Sequence, residues 1–336
     1  MKAKFNIVLV GDEMNDWLEY VRIVDGAGFW GLGIGDSQSL YQEVYVRCTM
    51  AAMQTRNVRL GPWVTNPLTR HPAVTASAIV SVDQVSGGRA YLGVGGGDSA
   101  VLNAGLRQAK MAFLDDYVRV VKALLAKGHA EWNGQRINLT FARRRVPVYV
   151  AASGPKTARL VGRMGDGAVF AMGITPEVTQ DALAQLRAGA EEAGRDMQEI
   201  DVWWAVQSNL AEDDATALNE LKASLITRAH HAFRFTTKGK HLPPEYEAAM
   251  QRIQQEYQPL QHATFGAPAH VRLADELDVT PYLARRFAIC GSPETFIRRV
   301  EEAHAAGAKQ LSLHVRVADK RRFLRLWNER VRPYFS

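Results

Sequence analysis

The stretch Tyr91-Leu-Gly-Val-Gly-Gly-Gly-Asp-Ser-Ala100 places four glycines in five positions after a short apolar run, then sets an aspartate beside a serine. Gly93 and Gly95 match the first two glycines of a dinucleotide-binding turn, but Asp98 stands where the third belongs. An open doubly wound sheet also needs that turn directly after its first strand. There the chain reads Gly11-Asp-Glu-Met-Asn-Asp16. The fingerprint of that fold is absent. The glycines at 93–97 then read as a strand end that either takes positive φ or lets a flat ligand lie against bare backbone.

Working outward, short β-branched runs at 5–10, 30–34, 58–64, 89–93, 146–151, 167–171, 200–209 and 309–315 alternate with amphipathic stretches. The latter fall at 16–27, 41–55, 73–85, 114–126, 156–164, 176–193 and 293–306. Parallel neighbours need crossover helices, so this alternation predicts a parallel sheet. Eight strands predict an α/β fold of the closed (β/α)₈ TIM barrel type, one domain over 1–336. A barrel of about 250 residues leaves an excess of chain for insertions. One is expected at about 128–145, where Asn133-Gly134 marks a hairpin turn. The larger, at about 227–286 between the seventh and eighth strands, is expected to form a lid.

Composition narrows the class. An apolar fraction of 47% and a charged fraction of 23% describe an ordinary globular chain. The net charge of +6 is thinly spread, and the densest basic run is Arg143-Arg144-Arg145, so no nucleic-acid partner is expected. No apolar window is long enough to cross a bilayer, and the N-terminus lacks a signal-peptide pattern, which together predict a cytoplasmic protein without a membrane partner. Cys48 and Cys290 have neither CxxC spacing nor histidines at metal spacing. No metal site is predicted.

Active sites of such barrels sit at the C-terminal ends of the strands. Two of those ends run through glycines into Asp-Ser, at Asp36-Ser37 and Asp98-Ser99, which predicts that Asp36 and Asp98 converge there or cap turns. The third strand ends in Gly61-Pro-Trp-Val-Thr-Asn-Pro-Leu-Thr-Arg-His-Pro72, too rich in proline for regular continuation. Thr65 and Asn66 offer hydroxyl and amide groups to a planar heterocycle. Arg70 suits an anion, and His71 suits proton work or a structural role. After the fifth strand, Ser153, Gly154, Pro155 and Lys156 combine a helix start with a cation, a pattern suited to phosphate or to simple capping. Met172 and Gly173, after the sixth strand, add further backbone N–H groups. Trp203, Gln207, His230, His231 and Arg286 are later pocket candidates, by position alone.

The segments 33–40 (GIGDSQSL), 64–78 (VTNPLTRHPAVTASA), 86–100 (SGGRAYLGVGGGDSA), 151–156 (AASGPK), 165–170 (GDGAVF) and 291–314, in that order, resemble the bacterial luciferase-like family of flavin- and deazaflavin-dependent oxidoreductases. The resemblance implies a barrel holding FMN or coenzyme F420 at its C-terminal face. It implies a phosphate near Ser153, Gly154, Met172 and Gly173, with Gly95 and Gly96 beside the ring. It also implies a bulge at Trp63 and Val64, often with a cis peptide between them. Deazaflavin members often carry histidine where this chain has Ser37. The leading expectation is a two-component monooxygenase that takes FMNH2 from a separate reductase and uses O2 on a small organic substrate. The alternatives are an F420-dependent reductase or dehydrogenase, with basic residues gripping the coenzyme's anionic tail, and a flavin-binding barrel without turnover. A homo-oligomer is expected in each case.

Overall fold

A computed structural model describes residues 3–10, 13–141, 145–262 and 264–335. The strands are β1 (Lys4–Leu9), β2 (Gly31–Ile34), β3 (Arg59–Pro62), β4 (Leu92–Val94), β5 (His129–Trp132), β6 (Gln135–Asn138), β7 (Val148–Ala152) and β8 (Gly167–Phe170). They are followed by β9 (Asp201–Leu210), β10 (Ala288–Gly291) and β11 (Gln310–Val315). Eight of them are hydrogen-bonded in the order β3-β2-β1-β11-β9-β8-β7-β4. The parallel bridges Leu60 to Ala90 and Thr65 to Val94 join the two ends of that path. The sheet is therefore a closed parallel barrel, and every strand in it comes from one of the eight runs read in the sequence.

β10 is an additional strand. It extends the upper half of the long β9, pairing Ala288–Gly291 with residues 207–210, while residues 204–207 of β9 pair with β11. Its four residues follow directly on a helix, Thr280–Phe287, and carry no alternation of their own. That is why the sequence pattern does not reveal it.

The lower half of the barrel interior is filled by rings. Trp30 stacks on Tyr91 with centroids 5.6 Å apart, and Trp63 meets Tyr91 edge-on at 5.1 Å and Tyr149 at 5.4 Å. Trp203 lies 4.6 Å from Trp30. Aromatic pairs in such offset or edge-on contact each add about 0.5–1.5 kcal/mol beyond the area they bury. Three of their polar tips are engaged within the plug, while the Trp63 Nε1–H is buried without a partner among the described residues. The Trp203 Nε1–H and the Tyr149 hydroxyl both donate to Asp201 Oδ2 at 2.9 Å, and the Tyr91 hydroxyl donates to Asn6 Oδ1 at 3.1 Å. Among the described residues the barrel interior is thus filled below by rings, and a large cavity lies above them. Trp203, expected near the ligand, is fully buried in this plug because its strand position points into the lower layer.

The hairpin β5–β6 is antiparallel, with Asn133 and Gly134 at φ 51° and 73°. Two successive positive φ values are what a primed hairpin turn requires. Of the basic run, Arg143 and Arg144 lie outside the described residues, and Arg145 pairs with Asp166 at 2.7 Å. Between β9 and β10 the described residues form two short 3-10 turns and four α-helices, Asp214–Phe233, Glu247–Glu256, Pro268–Glu276 and Thr280–Phe287. The first of them runs unbroken through residue 227, where the composition shift in the sequence suggested a boundary. Its start is marked by Asp213, whose side chain accepts from Thr216 N at 2.8 Å.

Candidate functional site

A cavity of about 1250 Å³ opens at the C-terminal ends of the strands. The loop after β4 forms one wall. Gly95, Gly96 and Gly97 all line it, and Gly97 stands at φ 94°, a conformation that disfavours any side chain. Below them, a Cβ on Gly93 would lie 2.6 Å from the Pro62 carbonyl oxygen. β4 can pass the end of β3 this closely only without a side chain there. The two chains are tied by Thr65 N donating to Gly93 O and Gly95 N donating to Thr65 O, each at 2.9 Å. The peptide bond between Trp63 and Val64 is cis. The Trp63 ring turns down into the aromatic plug, with its upper surface and Val64 forming part of the cavity floor.

Asp36 and Asp98 are the two carboxylates among the residues lining the cavity, and each is already engaged. Asp36 Oδ2 accepts from Arg70 Nη1 at 2.6 Å and from the Thr65 hydroxyl at 2.5 Å. Arg70 also reaches Glu43 at 2.6 Å. Burial works against the Arg70 charge, but the bonds to Asp36 and Glu43 outweigh it and raise its pKa above the ordinary guanidinium value. Asn66 turns inward, its Oδ1 accepting from Leu68 N and Thr69 N at 3.0 Å. Thr65 and Asn66 therefore border the cavity with their polar side-chain atoms committed to the protein.

Asp98 reaches across to the large insertion. Its Oδ2 lies 3.0 Å from His231 Nδ1 and its Oδ1 accepts from Arg234 Nη1 at 2.5 Å. Burial disfavours its charge, yet the His231 hydrogen bond and the charges of His231 and Arg234 hold it well below the usual carboxylate range. This pair of bonds fastens the insertion to the barrel. A carboxyl whose folded pKa is depressed lends its full stability above the unfolded value, about 3.9, and loses it as pH falls through the lower folded value. Asp98→Asn should accordingly make the segment 234–286 more sensitive to limited proteolysis at neutral pH. We expect the cleavage rate to rise on the order of tenfold, the equivalent of one charge-assisted hydrogen bond. An unchanged cleavage rate would show that other contacts hold the lid.

Ser153, Gly154 and Lys156 line the opposite side of the cavity, where the helix Pro155–Met164 begins. Thr157 Oγ1 accepts from Gly154 N at 3.2 Å and donates to Gly154 O at 2.9 Å, which fixes the turn. A Cβ on Gly154 would come no nearer than 3.8 Å to Lys240 Cε. The helix start thus faces Lys240, whose ammonium is pulled down to about 8 by burial and by the charges of Arg234 and Arg286.

Three expectations are corrected. His71 does not border the cavity; it is exposed at the start of the helix Pro72–Ser86, its Nδ1 accepting from Ala73 N at 3.2 Å. Met172 and Gly173 lie outside the lining because Arg286 covers them: its Nε–H donates to Met172 O at 3.1 Å, and a Cβ on Gly173 would strike Arg286 Cγ at 2.7 Å. Arg286 in turn is a buried clamp rather than a pocket residue, also donating to Lys240 O at 2.5 Å and His241 O at 2.8 Å. Of the two adjacent histidines, His231 borders the cavity and His230 stacks on Tyr257 with centroids 3.9 Å apart. Gln207 borders the cavity from β9.

Sequence reasoning expected rim cations at Lys156 and in Arg143–Arg145, and Lys156 does line the cavity, but it missed the others. Eight Lys and Arg side chains line it against the two engaged carboxylates. Several of them, Arg228, Arg234, Lys238 and Lys240, come from the insertion. For the cations of the insertion the signal was that it had room to form a lid; nothing local in a helix says which face will close over a barrel.

The family model described as luciferase-like monooxygenase matches residues 6–310. The chain is 28% identical over 299 residues to the 5,10-methylenetetrahydromethanopterin reductase of Methanolobus tindarius, covering 87% of each. It is 29% identical over 302 residues to the F420-dependent glucose-6-phosphate dehydrogenase of Nakamurella multipartita, covering 83% of this chain and 78% of that one. Among solved structures, the coenzyme F420 dependent tetrahydromethanopterin reductase from Methanopyrus kandleri superposes with a TM-score of 0.80 at 25% identity, with both chains fully covered. The monooxygenase RslO1 from Streptomyces bottropensis, at 20% identity and a TM-score of 0.67, shares the fold.

Proposed function

We propose that this chain, which belongs to the luciferase-like monooxygenase family, is an F420-dependent oxidoreductase that moves a hydride between the deazaflavin and a small organic substrate. The reading that placed FMNH2 and O2 first gives way to its alternative. Curated relatives at 26–29% identity are F420 enzymes or methylenetetrahydromethanopterin reductases, whereas the likeness to the monooxygenase RslO1 is one of fold alone. The observation that carries the proposal is the charge of the cavity, whose described lining holds eight cations and no free carboxylate. Such a wall favours a polyanionic coenzyme.

The residues present fit that group. Gly95, Gly96 and Gly97 leave a bare wall for a planar ring, beside the Trp63–Val64 bulge. The start of the helix at Gly154, open on its Cβ side and facing Lys240, suits a phosphate. Gln108 Nε2 and His314 Nε2 are buried at the cavity without a partner among the described residues, as groups awaiting a ligand would be. When bound, the deazaflavin supplies a carbon that accepts or donates hydride.

The chain's own part is to position both reactants, exclude water and move the accompanying proton. His231 suits the last task. Asp98 holds its Nδ1, while its Nε2 has no partner among the described residues. Burial lowers its pKa below the ordinary 6.5, so a neutral ring is available at pH 7 to take a proton from a substrate hydroxyl. Asp98 acts through His231, as a positioning residue.

Titration decides the cofactor. The purified protein should bind F420 saturably, with a marked change in the coenzyme's fluorescence, and show much weaker affinity for FMN and FMNH2. Tight FMNH2 binding with none of F420 would return the protein to the monooxygenases. A separate flavin reductase and O2 have no role in the proposed reaction.

A further inference from the structure

We infer that the substrate carries an oxyanion, a carboxylate or phosphate, which is seated between Arg228 and Arg316 on the β9–β11 side of the cavity. The inference rests on the cofactor reading above and adds to it the chemical class of the second reactant.

Arg228 comes from the helix Asp214–Phe233 and Arg316 from the residue just after β11. Both line the cavity, as do Gln207 on β9 and His314 on β11. Neither guanidinium has a carboxylate partner among the described residues. Among the described residues the groups that hydrogen-bond them are neutral: Arg316 donates to the His262 carbonyl, and Gln207, with its amide turned to accept, takes bonds from Arg228 Nε at 3.1 Å and Nη2 at 3.0 Å. Two guanidiniums near each other and half out of water carry a desolvation cost that neutral carbonyls do not offset. The protein elsewhere avoids that cost, pairing Arg70 with Asp36 and Arg234 with Asp98.

The field at this place has visible consequences. Arg228 is brought down to about 10 by burial and by the charge of Arg316. His314 is pushed well below its ordinary value by burial and by the same two arginines, and His262 is brought down to about 3 by burial and Arg316. These histidines stay neutral at pH 7 and can only donate or accept single hydrogen bonds. His314 Nε2 has no protein partner and borders the same space. Two planar forks and a neutral imidazole lining the same cavity match an oxyanion, which accepts bidentate bonds from arginine.

This pair is distinct from the cations facing the helix start at Gly154. Lys240 lies against Gly154, after β7, whereas Arg316 follows β11, and β8 and β9 stand between those strands in the barrel. One anionic ligand group at each place fits a coenzyme phosphate on one side and a substrate oxyanion on the other.

The probes are inorganic phosphate and acetate, titrated calorimetrically into the protein saturated with F420, so that the coenzyme's own anion site is filled. Wild type is expected to bind at least one of them saturably. Arg228→Met and Arg316→Met should each weaken that binding tenfold or more while weakening F420 binding far less, by the loss of one cation from the wall of eight, and Arg228→Lys should recover part of the loss. Preference for phosphate or acetate distinguishes the two sources of the oxyanion. Absence of saturable binding to the loaded wild type, or equal binding by the methionine variants with unchanged thermal melts, would overturn the inference. Failure of the cofactor reading looks different. F420 would not bind, while phosphate binding to the unloaded protein would still fall in the arginine variants.

Discussion

Gly154→Glu should abolish F420 binding, raising its Kd by roughly 100-fold or more, while the thermal melt stays close to wild type. Gly154 has an extended backbone at φ −172° and ψ 171°, which any residue adopts, and its Cβ direction opens toward Lys240 at 3.8 Å. The new side chain therefore has room, and its carboxylate can pair with the Lys240 ammonium or with Lys156 at the rim. The same position that attracts a phosphate would then already hold an anion. A phosphate arriving there would meet like charge at short range in place of a cation, and each 1.4 kcal/mol of that change is a factor of ten. Fluorescence titration with F420 measures the Kd directly. Gly154→Ala, which adds bulk without charge, should lose less than tenfold. Equal retention of F420 by the glutamate variant would remove the Ser153–Gly154 turn from the coenzyme site.

The contrast between what was legible in the sequence and what was not follows from the range of the forces involved. Strands β1, β2, β3, β4, β7, β8, β9 and β11 announce themselves because burial on both faces demands a run of apolar residues, and the crossover rule then dictates the parallel sheet. The Asn133-Gly134 turn is equally local, since two positive φ values need those residue types. The glycines at 93–97 were readable as a wall, and the structure supplies their reason: the Pro62 carbonyl packs where a Gly93 side chain would stand. Position along a strand was harder. Trp203 and Gln207 lie on the same strand, yet one fills the plug and the other borders the cavity, because strand tilt decides which layer each joins. His71 looked chemical beside Arg70, but the proline after it makes a helix start that its own imidazole caps. Contacts made across the fold had no local trace. The Asp98 bonds to His231 and Arg234 span more than 130 residues of sequence, and the Arg286 clamp over Met172 spans 114.

Among those long-range contacts, the Asp98–His231 pair has the greatest expected consequence for rate. His231→Ala should lower kcat by about 10²–10⁴-fold, the range a positioned general base contributes, with the Kd for F420 within about twofold of wild type. The pH profile separates chemistry from structure. In the direction of substrate oxidation the neutral ring is the working form, and burial holds its pKa below 6.5. Wild-type kcat should therefore be level at neutral pH and fall as pH drops through that lowered value. The alanine variant should lose this acid limb along with most of its rate. Asp98→Asn should show a smaller fall, because the ring remains and only the partner that orients it and favours its charged form is weakened. Its acid limb should move to lower pH, since loss of the carboxylate makes the imidazolium less favourable. Measurement requires a turnover substrate, which a screen of alcohols and ketones bearing an oxyanion can provide, read as F420 reduction or oxidation. An alanine variant with unchanged kcat and the wild-type acid limb would exclude His231 as the proton carrier and leave it the role of fastening the lid to the barrel.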